Sequence, residues 1–150
     1  MTAHLHATVE ARLRAAGQRY TPKRRELVEA LRRAGRPSAT PDLVRGRRGM
    51  PQSSVYRNLA VLEQVGAVRR VITEEGVARY ELAEDLTRHH HHLVCRVCGS
   101  VEDVTVGTGL ERTIQRALAE VATSAGFESD GHRLDLIGVC QRCRRASVTA

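Results

Sequence analysis

A chain of 150 residues fits one domain or two small ones, and 3% aromatic content with no Trp leaves a core of Leu, Val, Ile and Ala that needs help from a metal or a partner subunit. No apolar run approaches the ~20 residues that span a bilayer, and the start lacks a signal-peptide pattern, so no membrane partner and a cytoplasmic location are expected. The net charge of +7 sits wholly in the first half: residues 1–88 carry 17 Lys+Arg against 10 Asp+Glu, while residues 89–150 carry 7 of each, and all four cysteines lie in that neutral half. This division points to a nucleic-acid-binding half joined to a half with another task.

In chain order, Val9, Leu13 and Ala16 have helical spacing that ends at Gly17. Thr21-Pro22 gives an N-cap followed by Pro at the first helical position, for a helix carrying Leu27, Val28 and Leu31 and closed by Gly35. Thr40-Pro41 repeats the signal for a short helix through Leu43 and Val44. A further helix with Val55, Leu59, Leu62 and Val65 is capped by Ser53 or Ser54 and stopped by Gly66. Val68–Ile72 and Val77–Leu82, separated by Glu74-Glu75-Gly76, read as a β-hairpin. Helices followed by a two-stranded ribbon make a winged helix-turn-helix, whose last helix enters the major groove.

Candidate DNA contacts follow from that placement. Gln52, Ser53, Ser54, Tyr56, Arg57 and Asn58 stand at the start of the last helix, where Arg can fork onto guanine and Asn can pair with adenine. Arg19, Lys23, Arg24 and Arg25 form a second basic cluster suited to phosphate.

In the second half, Cys95-x-x-Cys98 and Cys140-x-x-Cys143 are separated by 41 residues. Each pair can hold two corners of a tetrahedron, and two pairs make a closed four-thiolate site typical of structural Zn(II). His89-His90-His91-His92 precedes a β-prone run, so alternation sends His89 and His91 to one face and His90 and His92 to the other. One strand could then serve two metal sites. Val101–Val106 reads as a strand, Leu110, Ile114, Leu118 and Val121 as an amphipathic helix closed by Gly126, and His132–Val139 as a strand ending at Cys140. The fold class expected is α+β: a winged helix, then a small α/β domain with a four-cysteine zinc site.

The pieces Arg19-Tyr20-Thr21-Pro22-Lys23-Arg24, Ser54-Val55-Tyr56-Arg57-Asn58-Leu59, His89 through Gly99, and His132 with Cys140-Gln141-Arg142-Cys143 together resemble the ferric uptake regulator family, whose members repress transcription when loaded with metal. The resemblance implies a winged-helix DNA-binding domain over 1–82, a hinge over 83–88 and a metal-binding dimerisation domain over 89–150. It also implies a homodimer on a palindromic double-stranded operator, and DNA contacts that include Tyr20. For the sensing site it implies Glu81, His90, His92 and Asp103, taking Fe(II) or Zn(II), with Mn(II) or Ni(II) also suited to such donors. For a second site it implies His89, His91, His132 and an acidic residue on the helix. The family's Glu aligns with Gln115, while Glu111, one turn earlier on the same face, has the better chemistry. This sequence departs from the family at the histidine usually supplied by the DNA-binding domain, for which the stretch around Arg36 offers no counterpart. The rival readings are a DNA-binding regulator whose metals are purely structural and a metalloenzyme built on the histidines; no catalytic signature supports the enzyme.

Overall fold

Thr21 caps α2 (Pro22–Ala34): its hydroxyl accepts from the Arg24 backbone N–H, and Gly35 closes the helix in the left-handed conformation at φ 57°. α1 (Thr2–Ala15) starts seven residues before the stripe that marks it in the sequence, because Leu5 continues the buried row of Val9 and Leu13. The computed structural model describes residues 2–45, 50–73 and 76–148. The Glu74-Glu75 part of the expected hairpin turn lies outside the described residues.

Two cap assignments read from the sequence are corrected. α3 (Thr40–Val44) is preceded by Ala39 at the N-cap, which the short strand β1 (Ser38–Ala39) fixes in extended geometry; Thr40 is already helical and buried. α4 (Gln52–Gln64) is entered from Pro51, whose carbonyl accepts from the Ser54 and Val55 N–H groups. Proline's fixed φ supplies the entry that a capping serine would otherwise set, so Ser53 and Ser54 both sit inside the first turn.

β2 (Val68–Ile72) and β3 (Ala78–Leu82) pair antiparallel, with Arg69 opposite Glu81. β1 adds to the other edge of β3, giving the order β1-β3-β2. Helices followed by this ribbon form the expected winged helix. Its core joins Leu5, Val9 and Leu13 of α1 to Leu27 and Leu31 of α2, Leu59 and Leu62 of α4, and Leu82 of β3.

A 3-10 turn at Glu84–Leu86 leads to β4 (His91–Cys95), β5 (Val101–Val104), α5 (Thr108–Ser124), β6 (Asp135–Gly138) and α6 (Gln141–Val148). β4 is the centre of the second sheet, antiparallel to β5 and parallel to β6. Both outer strands are shorter than their apolar runs, and α6 is an element that the sequence reading did not include. This half has little core of its own: Val94 and Val101 are buried beside Cys95 and Cys143, whereas Leu110, Val121, Leu136 and Ile137 are exposed. Among the described residues no helix is long and apolar enough to cross a membrane.

Candidate metal centres and nucleic-acid interface

Three groups of metal-ligating side chains converge, two within the second half and one that also draws Glu81 from the first, each with donor atoms within 4.8 Å of one another. In the first, β4 delivers Cys95, a tight turn through Gly99 (φ 62°) presents Cys98, and the end of β6 and the first turn of α6 bring Cys140 and Cys143. The Cys98 and Cys140 sulfurs are 3.8 Å apart and all four thiols are free. A disulfide would need about 2.05 Å, whereas sulfurs at about 2.3 Å from one zinc stand about 3.8 Å from each other on a tetrahedron. The Ser100 hydroxyl, its backbone N–H and Arg142 bring the Cys98 thiol down to about 5. Crowding by the Cys140 sulfur, with burial, pushes Cys143 up to about 12. Thiols that oppose one another's ionisation in this way fit a dication at their centre.

The histidine run divides as strand alternation requires. His90 and His92 meet Glu81 from the end of β3 and Asp103 from β5, which lies opposite His92 in the sheet. Both imidazole Nε2 atoms are 3.2 Å from the same Glu81 Oε2, and His90 Nε2 is 3.8 Å from Asp103. The other nitrogens are held from outside: His92 Nδ1 lies 3.0 Å from Asp135 Oδ1, and His90 Nδ1 donates to the Arg88 carbonyl at 2.8 Å. Such outer partners fix the tautomer and ring orientation of a ligating histidine. Arg69 donates twice to Glu81 Oε1, at 2.9 and 2.6 Å, so Oε2 alone faces the imidazoles.

Burial raises the Glu81 carboxyl, but hydrogen bonds from His92 and then Arg69 outweigh it and hold the group at about 2. Burial lowers His92, and its contacts with Glu81 and Asp135 raise it more. Burial lifts Asp103, the most weakly partnered member. Arg69 and Asp135 were absent from the sequence reading. The cross-strand pairing of a hairpin could have found Arg69; the parallel β4–β6 register that brings Asp135 carries no such local signal.

On the opposite face, Glu111 of α5 stands 2.9 Å from His91, 3.1 Å from His89 and 3.3 Å from His132. Glu84 bonds the outer Nδ1 of His89. His89 Nε2, His91 Nδ1 and His132 Nε2 are buried without a hydrogen-bond partner among the described residues. The His89 and His132 Nε2 atoms face the Glu111 carboxylate without hydrogen-bond geometry, and buried imidazole nitrogens left without a hydrogen bond are costly unless an ion takes their lone pairs, so both the donor chemistry and the geometry fit a metal. Gln115 stands behind this set, donating to Glu111 at 3.2 Å. His6, one of the two imidazoles of the first half, is turned to the Tyr20 hydroxyl at 2.6 Å.

The structure divides the expected DNA contacts into two kinds. Arg19, Lys23, Tyr56 and Arg57 are exposed. Arg24 and Asn58 hold each other at 3.2 Å, and Asn58 also donates to the Ser54 carbonyl at 2.7 Å. Tyr20 is half-buried between His6 and the Arg25 guanidinium, which lies 4.8 Å from its ring centre.

A family model described as the ferric uptake regulator family matches residues 15–137. The Peroxide operon regulator of Bacillus subtilis (strain 168) is 30% identical over 149 residues, covering 97% of both chains. The solved structure of the Helicobacter pylori ferric uptake regulator Fur, described as having three functional metal binding sites, superposes with a TM-score of 0.76 at 22% identity and covers 96% of this chain and 94% of that one. A zinc uptake regulator complexed with zinc and DNA gives a TM-score of 0.57 at 21% identity, covering 99% and 98%. At those identities the structural likeness carries the fold, while the family match and the Bacillus relative extend along the sequence. The chain belongs to the ferric uptake regulator family of metal-responsive transcription regulators and is not an enzyme.

Proposed function

We propose that this chain is a repressor that binds a palindromic operator as a homodimer when its sensing site holds a divalent metal, Fe(II) or Zn(II) foremost. The observation that carries the reading is the Glu81 carboxylate, which stands on the wing strand β3 yet shares one oxygen with His90 and His92 of the other half. A dication bound there supplies the charge that holds donors from both halves to one centre. Glu81 transmits position because Arg69 of β2 grips its second oxygen, so a shift of the imidazoles is felt by both strands of the wing. The residues of 1–82 would read DNA, 83–88 would act as the hinge, and 89–150 would bind metal and dimerise.

The four-cysteine group is assigned to structural Zn(II), and the His89, His91, Glu111 and His132 group to a second metal. The three groups match in number the three functional sites described for the Helicobacter pylori relative. DNA contact is assigned to Arg19, Lys23, Tyr56 and Arg57, in line with the solved zinc uptake regulator that holds DNA. The exposed Leu110, Val121, Leu136 and Ile137 supply the apolar surface that a second copy would cover.

The test is operator affinity against metal, in protein retaining only its cysteine-bound zinc, on a duplex selected from a random pool by the metal-loaded form. Fluorescence anisotropy should show about 100-fold tighter binding on adding Mn(II), anaerobic Fe(II) or Zn(II), equivalent to about 3 kcal/mol of coupling. Unchanged affinity with all three would leave the metals a purely structural role and overturn the sensor.

A further inference from the structure

The sensing group opens on a cleft of about 560 Å³ between the two halves. Glu81, His90 and Asp103 line it on one side, whereas His92, 2% exposed, lies behind them, so the open side of the donor set faces the cleft. Arg36 and Arg88 stand on the cleft wall, and leucines from α1, α2 and the connecting segment give it an apolar floor. Arg32 at the rim is engaged by Glu29, but neither Arg36 nor Arg88 has an ion-pair partner among the described residues. Arg36 is close enough for its charge to act on Asp103.

Two physical arguments converge on an occupant. Metals such as Fe(II) and Mn(II) favour about six ligands, and the protein offers four here, all but His92 bordering the cleft. The charge balance points the same way. A dication balances the charges of Glu81 and Asp103, and Arg36 and Arg88 then leave positive charge on the wall of a partly enclosed space. A partly enclosed cleft with arginines on its wall favours an anion once metal balances its carboxylates, and the leucine floor favours one with a short carbon chain over a bare inorganic ion.

We propose that this cleft binds a small organic dicarboxylate in the metal-loaded state, one carboxylate at the open side of the Glu81, His90 and Asp103 donors and the other paired with Arg36 and Arg88. The proposal rests on the sensing reading of that donor set. By linkage, the dicarboxylate tightens metal binding by the same factor that metal tightens dicarboxylate binding. The regulator would then respond to metal and to the supply of organic acid together. Arg36 would have a positive role here: the DNA-binding half presents a cation to the cleft where it presents no imidazole.

The test uses the full chain with its cysteine zinc, loaded with Co(II), whose visible spectrum reports its ligands; the part of the spectrum lost in Glu81→Ala belongs to the sensing group. Titration with succinate at constant ionic strength should shift that part saturably, and calorimetry should show no succinate binding to Co(II)-free protein. Arg36→Gln and Arg88→Gln, both at exposed positions, should each weaken succinate about tenfold, whereas Co(II) uptake in succinate-free buffer should not weaken, because each variant removes a cation near the donor set. Acetate, which cannot reach both ends, should bind more weakly than succinate. No spectral shift, bleaching through loss of cobalt, or full succinate affinity in both arginine variants overturns the cleft site and leaves the metal site standing. Absence of any Glu81-dependent cobalt spectrum overturns both.

Discussion

Arg69 and Glu81 face each other across the β2–β3 ribbon, and the guanidinium takes one carboxylate oxygen while His90 and His92 share the other. The pair has a measurable consequence because Glu81 is only 4% exposed. Arg69→Gln removes the cation that offsets burial of this anion, which should cost about 1–3 kcal/mol in urea denaturation of protein lacking sensing-site metal. Adding Mn(II) should shrink the deficit, since a dication supplies the missing positive charge. An equal deficit with and without Mn(II) would show that Arg69 stabilises the ribbon independently of the donor set.

The second group distinguishes two residues that helix phase alone left open. Glu111 touches three histidines, whereas among the described residues the Gln115 side chain is hydrogen-bonded to Glu111. Glu111→Ala should therefore weaken metal at this group far more than Gln115→Ala, whose effect should stay near tenfold, as for an outer partner. Isothermal titration with Zn(II), after the sensing group is disabled by His92→Ala, measures both. Comparable losses in the two variants would return Gln115 to the position that the family alignment gives it.

What the sequence made legible was governed by local periodicity. Alternation divided His89 and His91 from His90 and His92 because a strand has period two, and Thr21-Pro22 marked α2 because capping is decided within four residues. The features it hid depend on distant chain. Ser53 and Ser54 look like caps until Pro51 is seen to hold the entry to α4, and β1 is two residues long with only β3 to define it. Asp135 reaches His92 through a parallel pairing across some forty residues, which no local pattern encodes.

Cys95→Ser should remove one zinc per chain and unfold the second half. Structural zinc contributes about 10–16 kcal/mol of apparent binding energy at neutral pH, comparable with or above the about 5–15 kcal/mol that a whole domain usually has to spare. Here the buried apolar residues beside the thiols are few, Val94 and Val101 among them, so nothing else is available to replace it. Metal analysis and far-ultraviolet circular dichroism should change together, while α1 to α4 keep their helical signal. Retention of the full zinc complement would place the ion elsewhere.

The exposed and engaged residues of the DNA face should separate in two assays. Arg57→Ala, at an exposed position on α4, should weaken operator binding by about 1–3 kcal/mol without lowering the melting temperature. Asn58→Ala should lower the melting temperature by a few degrees, because it breaks the bond from Arg24 and the bond to the Ser54 carbonyl, together worth about 1 kcal/mol or more. If Asn58→Ala melts like the parent and still loses operator affinity, its side chain leaves Arg24 to contact DNA.

His6 carries a pH dependence separate from the metal groups. Burial first, and then the Arg25 charge, hold its pKa below the ordinary value of 6.5, and its ring lies 2.6 Å from the Tyr20 hydroxyl, whose own pKa burial pushes up to about 12. In the tautomer with its proton on Nε2, the neutral imidazole accepts the phenol's proton at Nδ1, whereas an imidazolium can only donate to the phenol oxygen, so protonation reverses the bond. Because the folded pKa is depressed, the unfolded chain binds more protons in the interval between the folded value and 6.5. The contribution of His6 to stability is therefore intact above pH 6.5 and is lost as pH falls through the folded pKa. Urea melts of the parent and of His6→Asn, which keeps an acceptor and does not titrate, should converge as pH is lowered from 7.5 to 5. Groups common to both proteins cancel in the difference. A gap that stays constant over that range would show that the Tyr20 contact does not depend on a neutral His6.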